Sequence, residues 1–68
     1  MFIANKLKIL RENKGYSVEK LFVELSNAGL DIACSTYRNW ENGVNEPNAG
    51  NLEIIAKYYK KPLGFFFG

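Results

Sequence analysis

The chain predicts an all-α fold, a compact bundle of four to five short helices, and three observations carry that prediction. Apolar residues recur at helical spacing in separate short blocks. Each block is bounded by Gly, Pro, Ser or Asn, the residues that cap or stop helices. Period-two alternation, which a half-buried strand needs, is absent. The 68 residues suit one domain spanning 1–68. A chain so short buries only about 60% of the surface its unfolded form exposes. Its core must therefore be dense, and 47% hydrophobic residues, with five Phe, four Tyr and one Trp, suit that demand.

In chain order, Ile3, Leu7 and Leu10 share one face of a first helix, and Gly15 after Lys14 reads as its stop. Ser17 is an N-cap for the second, with Glu19 in the first turn, where the helix dipole favours an acid. Val18, Leu21, Phe22, Leu25 and Ala28 form its apolar stripe, and Gly29 ends it. A third helix runs from about Cys34 to Asn42 and is closed by Gly43. Asn48, after Pro47, caps a fourth in which Leu52, Ile55, Ala56 and Tyr59 align. Pro62 suits the first turn of a last short helix holding Leu63, Phe65, Phe66 and Phe67.

Composition narrows the chemistry. A single cysteine, Cys34, cannot form an internal disulfide. Without His, neither a zinc site nor a His-based catalytic constellation has its ligands or its base. Ser17, Ser26 and Ser35 therefore have no activating partner, and an enzyme is not expected; neither is a cofactor, a metal or a small-molecule substrate. No apolar run approaches the ~20 residues of a membrane span, so a cytoplasmic protein with no membrane partner is expected. The net charge of +2 is a weak signal, and its distribution says more. Lys6, Lys8, Arg11 and Lys14 face only Glu12 in the first fourteen residues, and Lys57, Lys60 and Lys61 cluster late.

The third helix has two unlike sides. Ala33, Thr36, Tyr37 and Trp40 fall on one side of the wheel, as a bulky anchor. Cys34, Ser35, Arg38, Asn39 and Asn42 fall on the other. An ordinary wet face carries mostly Lys and Glu, yet only Arg38 is charged here. Arg pairs bidentately with guanine and Asn with adenine when a helix lies in the major groove. A plain solvated surface is the competing reading of the same residues.

The succession LKILRENKGYS, VEKLFVEL, STYRNWENG and P-x(4)-LEIIAKYY resembles the Cro and phage-repressor (XRE-type) helix-turn-helix family. The elements that match are Arg11, the Gly15–Ser17 turn, Leu21 and Leu25, Glu41 to Gly43, Pro47 and Ala56. The resemblance spans nearly the whole chain and implies a lambda-repressor-like fold with double-stranded DNA as partner. It also implies that the third helix is the recognition helix, with the second lying across the DNA backbone. The matching base-contact positions are Cys34, Ser35 and Asn39, with Arg38 beside them. Phosphate contacts would come from Ser17 and Val18 at the start of the second helix, and from the Asn42–Asn45 loop. Arg11 and Glu41 match a pair that forms an inter-helix ion pair in some members.

The chain departs from the pattern in three places. Leu25 to Glu41 spans more positions than the family uses, so SNAGL reads as an insertion that lengthens helix 2 or its turn. The family's Gln near the start of helix 2 is Val18, which lacks that phosphate contact. The usual Ser or Thr cap of the recognition helix falls on Ala33, with Asp31 as the substitute cap.

Ile54, Tyr58 and Phe65 to Phe67 suggest a patch too apolar for a bare monomer surface, and a homodimer through it is one expectation. A last helix that folds back over these residues, or a chain cut from a longer protein, are the others. The functional expectation is a sequence-specific DNA-binding transcriptional regulator of the phage-repressor kind. The alternative is a protein-interaction module that keeps the fold without reading DNA.

Overall fold

The computed structural model describes residues 1–68 and contains four α-helices and a closing 3-10 turn: α1 Ala4–Asn13, α2 Val18–Asn27, α3 Cys34–Glu41, α4 Ala49–Tyr59, then Leu63–Phe66. Two of the helix starts carry the caps their sequence announces. The Lys20 amide donates to Ser17 Oγ at 3.1 Å, and the Asn51 amide donates to Asn48 Oδ1 at 2.8 Å. Each satisfies one of the amides that a helix leaves unpaired at its first turn.

The core is one cluster drawn from every element. Leu7 comes from α1, Leu21 and Leu25 from α2, Tyr37 and Trp40 from α3, and Leu52, Ile55 and Ala56 from α4. Leu30, in the connection between α2 and α3, is also buried. SNAGL therefore resolves into distinct tasks. Ser26 and Asn27 finish α2, Ala28 caps it, Gly29 turns the chain at φ 110°, and Leu30 pins the connection to the core. The lengthening appears as a loop over Ala28–Ala33, and α2 stops one residue short of its expected apolar stripe, since Ala28 is exposed.

Two details of α3 differ from expectation. Asp31, the expected substitute for the cap that Ala33 cannot supply, makes no cap hydrogen bond, and the α3 start has no side-chain cap. Ala33 is also exposed rather than on the anchoring side, because the chain enters α3 from the solvent-facing loop.

The carboxy-terminal aromatics fold back on the domain. A 3-10 turn has three residues per turn, so consecutive side chains leave about 120° apart. Phe66 accordingly points inward and is fully buried, which removes it from any surface patch. Phe65 is half-buried under two ammonium groups, Lys6 at 4.7 Å and Lys61 at 5.1 Å from its ring centroid. Ile54 and Tyr58 are half-buried against the core. Of the five residues expected to form a dimer patch, Phe67 alone is exposed, at 44%, and it packs edge-on against Phe2.

The two chain ends meet there. Phe2 and Phe67 form an antiparallel bridge. The Ile3 amide donates to the Phe66 carbonyl at 2.8 Å, and the Gly68 amide donates to the Met1 carbonyl at 2.9 Å. Lys6 Nζ donates to the Phe65 carbonyl at 2.7 Å. Backbone pairing of this kind lets the closing turn hold Phe66 in the core although the turn itself has only four residues.

Candidate nucleic-acid interface

Position in α3 decides which side chains are structural and which are available. Tyr37 and Trp40 are buried and meet edge-to-face, with ring centroids 6.1 Å apart. The pair fixes the helix by its inner side. One turn below Tyr37, Glu41 receives three hydrogen bonds. Arg11 of α1 donates from Nε to Oε2 at 2.8 Å and from a terminal nitrogen to Oε1 at 3.0 Å. The Tyr37 hydroxyl donates to Oε2 at 2.6 Å. Arg11 also donates to the Tyr16 carbonyl at 2.8 Å, tying the α1–α2 turn into the same network.

The ion-pair side chains are only 13% and 6% exposed, so this is a nearly dry, fork-to-fork pair of the strong kind. Its hydrogen bond to Glu41 holds the Arg11 guanidinium above its ordinary pKa in spite of desolvation. Burial, followed by the hydrogen bond to Glu41, pushes the Tyr37 hydroxyl well above the usual tyrosine range. The expected pair of Arg11 and Glu41 is thus formed, with Tyr37 as a third member that the sequence reading left out.

The opposite edge of α3 carries the polar side chains. Ser35, Arg38 and Asn42 are exposed, while Cys34 and Asn39 are half-buried. Gly43 takes φ 75° and turns the chain sharply out of α3, so Asn42 and the exposed Asn45 sit on a tight loop beside that edge. At the start of α2, Ser17 is exposed and Val18 half-buried. These are the residues expected to meet phosphate.

A cleft of about 140 Å³ joins the two groups. It is lined by Lys8, Arg11, Val18, Arg38, Glu41 and Asn42. With Arg11 committed to Glu41, the cations left to face solvent in it are Lys8 and Arg38. Lys8 makes no hydrogen bond, ion pair or aromatic contact. The lysines nearest it in the chain are occupied: Lys6 of α1 with Phe65, and Lys14, the residue that caps α1, over the rings of Tyr16 and Tyr58 at 5.2 Å each. Arg38 is paired across the helix-helix gap with Glu19 of α2. Neither Lys8 as the free lysine of α1 nor Glu19 as a partner of Arg38 was evident in the sequence. Helical spacing offers no signal for a contact between residues nineteen positions apart on separate helices.

On the far side of α2 lies a second polar cluster. The Tyr58 hydroxyl donates to Glu24, and the ammonium of Lys20 sits 4.5 Å from the Tyr16 ring. Hydrogen bonding from Tyr58 is the main cause that holds Glu24 below the usual carboxylate range. The cluster ties α4 to α2 and leaves the α3 edge untouched.

Two short helices placed against each other by α1, the second anchored by aromatics and bearing a free polar edge, define a small helix-turn-helix domain. The family comparison agrees. Residues 7–66 match the helix-turn-helix family, and the chain belongs to it, as a Cro-type, XRE-family DNA-binding domain. No curated protein and no solved structure gives a match. No helix is long and apolar enough to cross a membrane.

Proposed function

We propose that this domain is a sequence-specific, double-stranded-DNA-binding transcriptional regulator of the phage-repressor kind, cytoplasmic, with α3 and its cap, residues 34–42, laid in the major groove. The observation that carries the reading is the division of α3 into a buried aromatic anchor, Tyr37 and Trp40, and an opposite edge of small and medium polar groups. In a regulator of this type the recognition helix must be held rigidly from behind while its outer edge stays free for base edges.

Cys34, Ser35 and Asn39 are the base-edge contacts in this reading. Asn39 carries the side chain best suited to adenine. Ser17, Val18, Asn42 and Asn45 meet phosphates, the first two through the opening turn of α2, where backbone amides point outward. Arg38 belongs to the same edge in sequence, but its head is turned toward α2. A homodimer would bring two such edges to half-sites one DNA turn apart. The apolar surface left for it near the chain ends is Phe67 and Leu63, with Ile54, Tyr58 and Phe65 partly covered.

Selection from random duplexes at two salt concentrations tests the reading. A defined sequence should be enriched, and its affinity should fall steeply with salt as phosphate contacts release counterions. Enrichment of no sequence would favour the protein-interaction module. Sedimentation at high micromolar concentration tests the dimer, which a monomer there would eliminate.

A further inference from the structure

We infer that Glu19 is a tethered stand-in for a DNA phosphate. Its carboxylate holds the Arg38 guanidinium in the free protein, and duplex binding exchanges it for a phosphate oxygen. The inference rests on the DNA-binding reading above and assigns Arg38 to the backbone instead of to the bases.

Geometry separates Arg38 from its neighbours on α3. Ser35 and Asn39 keep to the helix edge, but the Arg38 guanidinium crosses to the first turn of α2, where it pairs with Glu19. It also lines the cleft with Lys8, Val18 and Asn42, beside the residues proposed to meet phosphate. The one carboxylate that lines the cleft, Glu41, is taken up by Arg11 and Tyr37, so it cannot serve as an alternative partner for Arg38. Lys8 adds a second, unpaired cation at the same opening.

The exchange is physically reasonable in both directions. The two side chains of the pair are 48% and 67% exposed, and an ion pair in water favours its closed form by a factor of about five at most. That is enough to occupy Arg38 in the free protein, and little enough to be displaced. A phosphate offers the guanidinium the same two-oxygen geometry as a carboxylate. It also releases a condensed counterion on contact, which Glu19 does not. The apparent affinity for DNA is then lowered by the fraction of molecules in which Arg38 is held. Because every duplex carries phosphates, that reduction is independent of sequence.

The test combines binding with one resonance. Affinities of the wild type, Glu19→Gln and Arg38→Ala are measured by fluorescence anisotropy on the selected duplex and on a random duplex, across a salt series. The Glu19 side-chain carboxyl carbon is followed by NMR in the free and duplex-bound protein. Glu19→Gln should bind both duplexes about 2–5-fold tighter. Arg38→Ala should weaken both alike and reduce the salt slope by about 0.9, one phosphate contact. On adding duplex, the Glu19 carboxyl resonance should move to the position it holds in free Arg38→Ala, where no partner remains. A resonance that stays in place on a bound duplex would overturn the exchange while leaving the DNA reading intact. So would a gain in Glu19→Gln confined to the selected duplex, since Arg38 would then be reading bases. Failure of the wild type to bind any duplex at low salt would instead be a failure of the DNA reading, and would take the exchange with it.

Discussion

Removing Glu41 should take away a large share of this domain's stability, although the residue sits on α3, a helix whose other edge faces solvent. Glu41→Leu deletes the acceptor for two Arg11 hydrogen bonds, at 2.8 and 3.0 Å, and for the Tyr37 hydroxyl at 2.6 Å. It leaves a guanidinium only 13% exposed, with the Tyr16 carbonyl as its remaining partner. Stranding one partner of such a pair costs about 3–5 kcal/mol. At about 0.05–0.15 kcal/mol per residue, 68 residues have a total stability of roughly 3–10 kcal/mol. The loss is thus a third of the stability or all of it. Urea titration followed by far-ultraviolet circular dichroism reads the change. With a urea slope of about 1 kcal/mol per molar, a loss of about 3–5 kcal/mol should lower the midpoint by about 3–5 M, or helicity should be missing without denaturant. Arg11→Met/Glu41→Leu should cost less than Glu41→Leu alone, because no charge remains to be stranded. If Glu41→Leu costs under about 1 kcal/mol, or if the double substitution costs the sum of the singles, the claim that α3 is fastened through a dry ion pair is wrong.

Other consequences follow from the same contacts. Asn39→Ala should weaken the preferred duplex by about 1–3 kcal/mol and spare random DNA; equal losses on both in a binding titration would contradict its base-edge role. Phe66→Ala should cost about 3–5 kcal/mol in urea melts, because the ring is fully buried, whereas Phe67→Ala should cost far less. All four tyrosine hydroxyls lie above their ordinary pKa: Tyr37, Tyr58 and Tyr59 chiefly by burial, and Tyr16 chiefly by the Glu24 charge. The stability tied to the neutral phenols is complete below the unfolded value near 10 and is lost as pH rises beyond it. The buried Tyr37 and Tyr59 phenols should therefore ionise only with the loss of helicity, read as a rise in absorbance at 295 nm, and four independent titrations near pH 10 in a folded protein would refute this. Glu24 is shifted the other way, so its contribution is complete above the unfolded carboxylate value and is lost as pH falls through the lowered one. Thermal melts at pH 7 and pH 3 should show a smaller acid-induced drop in Glu24→Gln than in the wild type.

The features legible in the sequence are those encoded within a turn or two of chain. Ser17 and Asn48 announce their helices because each cap bonds an amide three residues on. Leu21, Leu25, Tyr37 and Trp40 announce the core because helical spacing groups them before any tertiary contact forms. The remainder depends on how helices cross. Three adjacent Phe residues look equally apolar, and only the 3-10 geometry of Leu63–Phe66, clamped by residues 1–3, selects Phe66 for the interior. The Glu19–Arg38 pair depends on the angle between α2 and α3, which the six-residue connection over 28–33 sets. Leu30 illustrates the same limit: a lone apolar residue in a loop has no periodicity to mark it, yet its burial fixes how that connection lies.

In the proposed function, fastening and reading fall on different residues of one eight-residue helix. Tyr37, Trp40 and Glu41 stand at spacings of three and four, so they share the side that faces α1 and the core. Ser35, Arg38 and Asn39 hold none of those contacts. The half-buried state of Asn39 is therefore a matter of position along the edge, not of a bond to the interior. Substitutions at 35 and 39 should change which duplex is preferred while leaving urea midpoints near the wild-type value, within about 0.5 kcal/mol. Glu41 and Tyr37 behave in the opposite way: their loss removes stability and DNA binding together. A variant at Ser35 or Asn39 that unfolds the domain would show that the outer edge also carries the fold, and the helix could then no longer exchange one specificity for another without cost to the core.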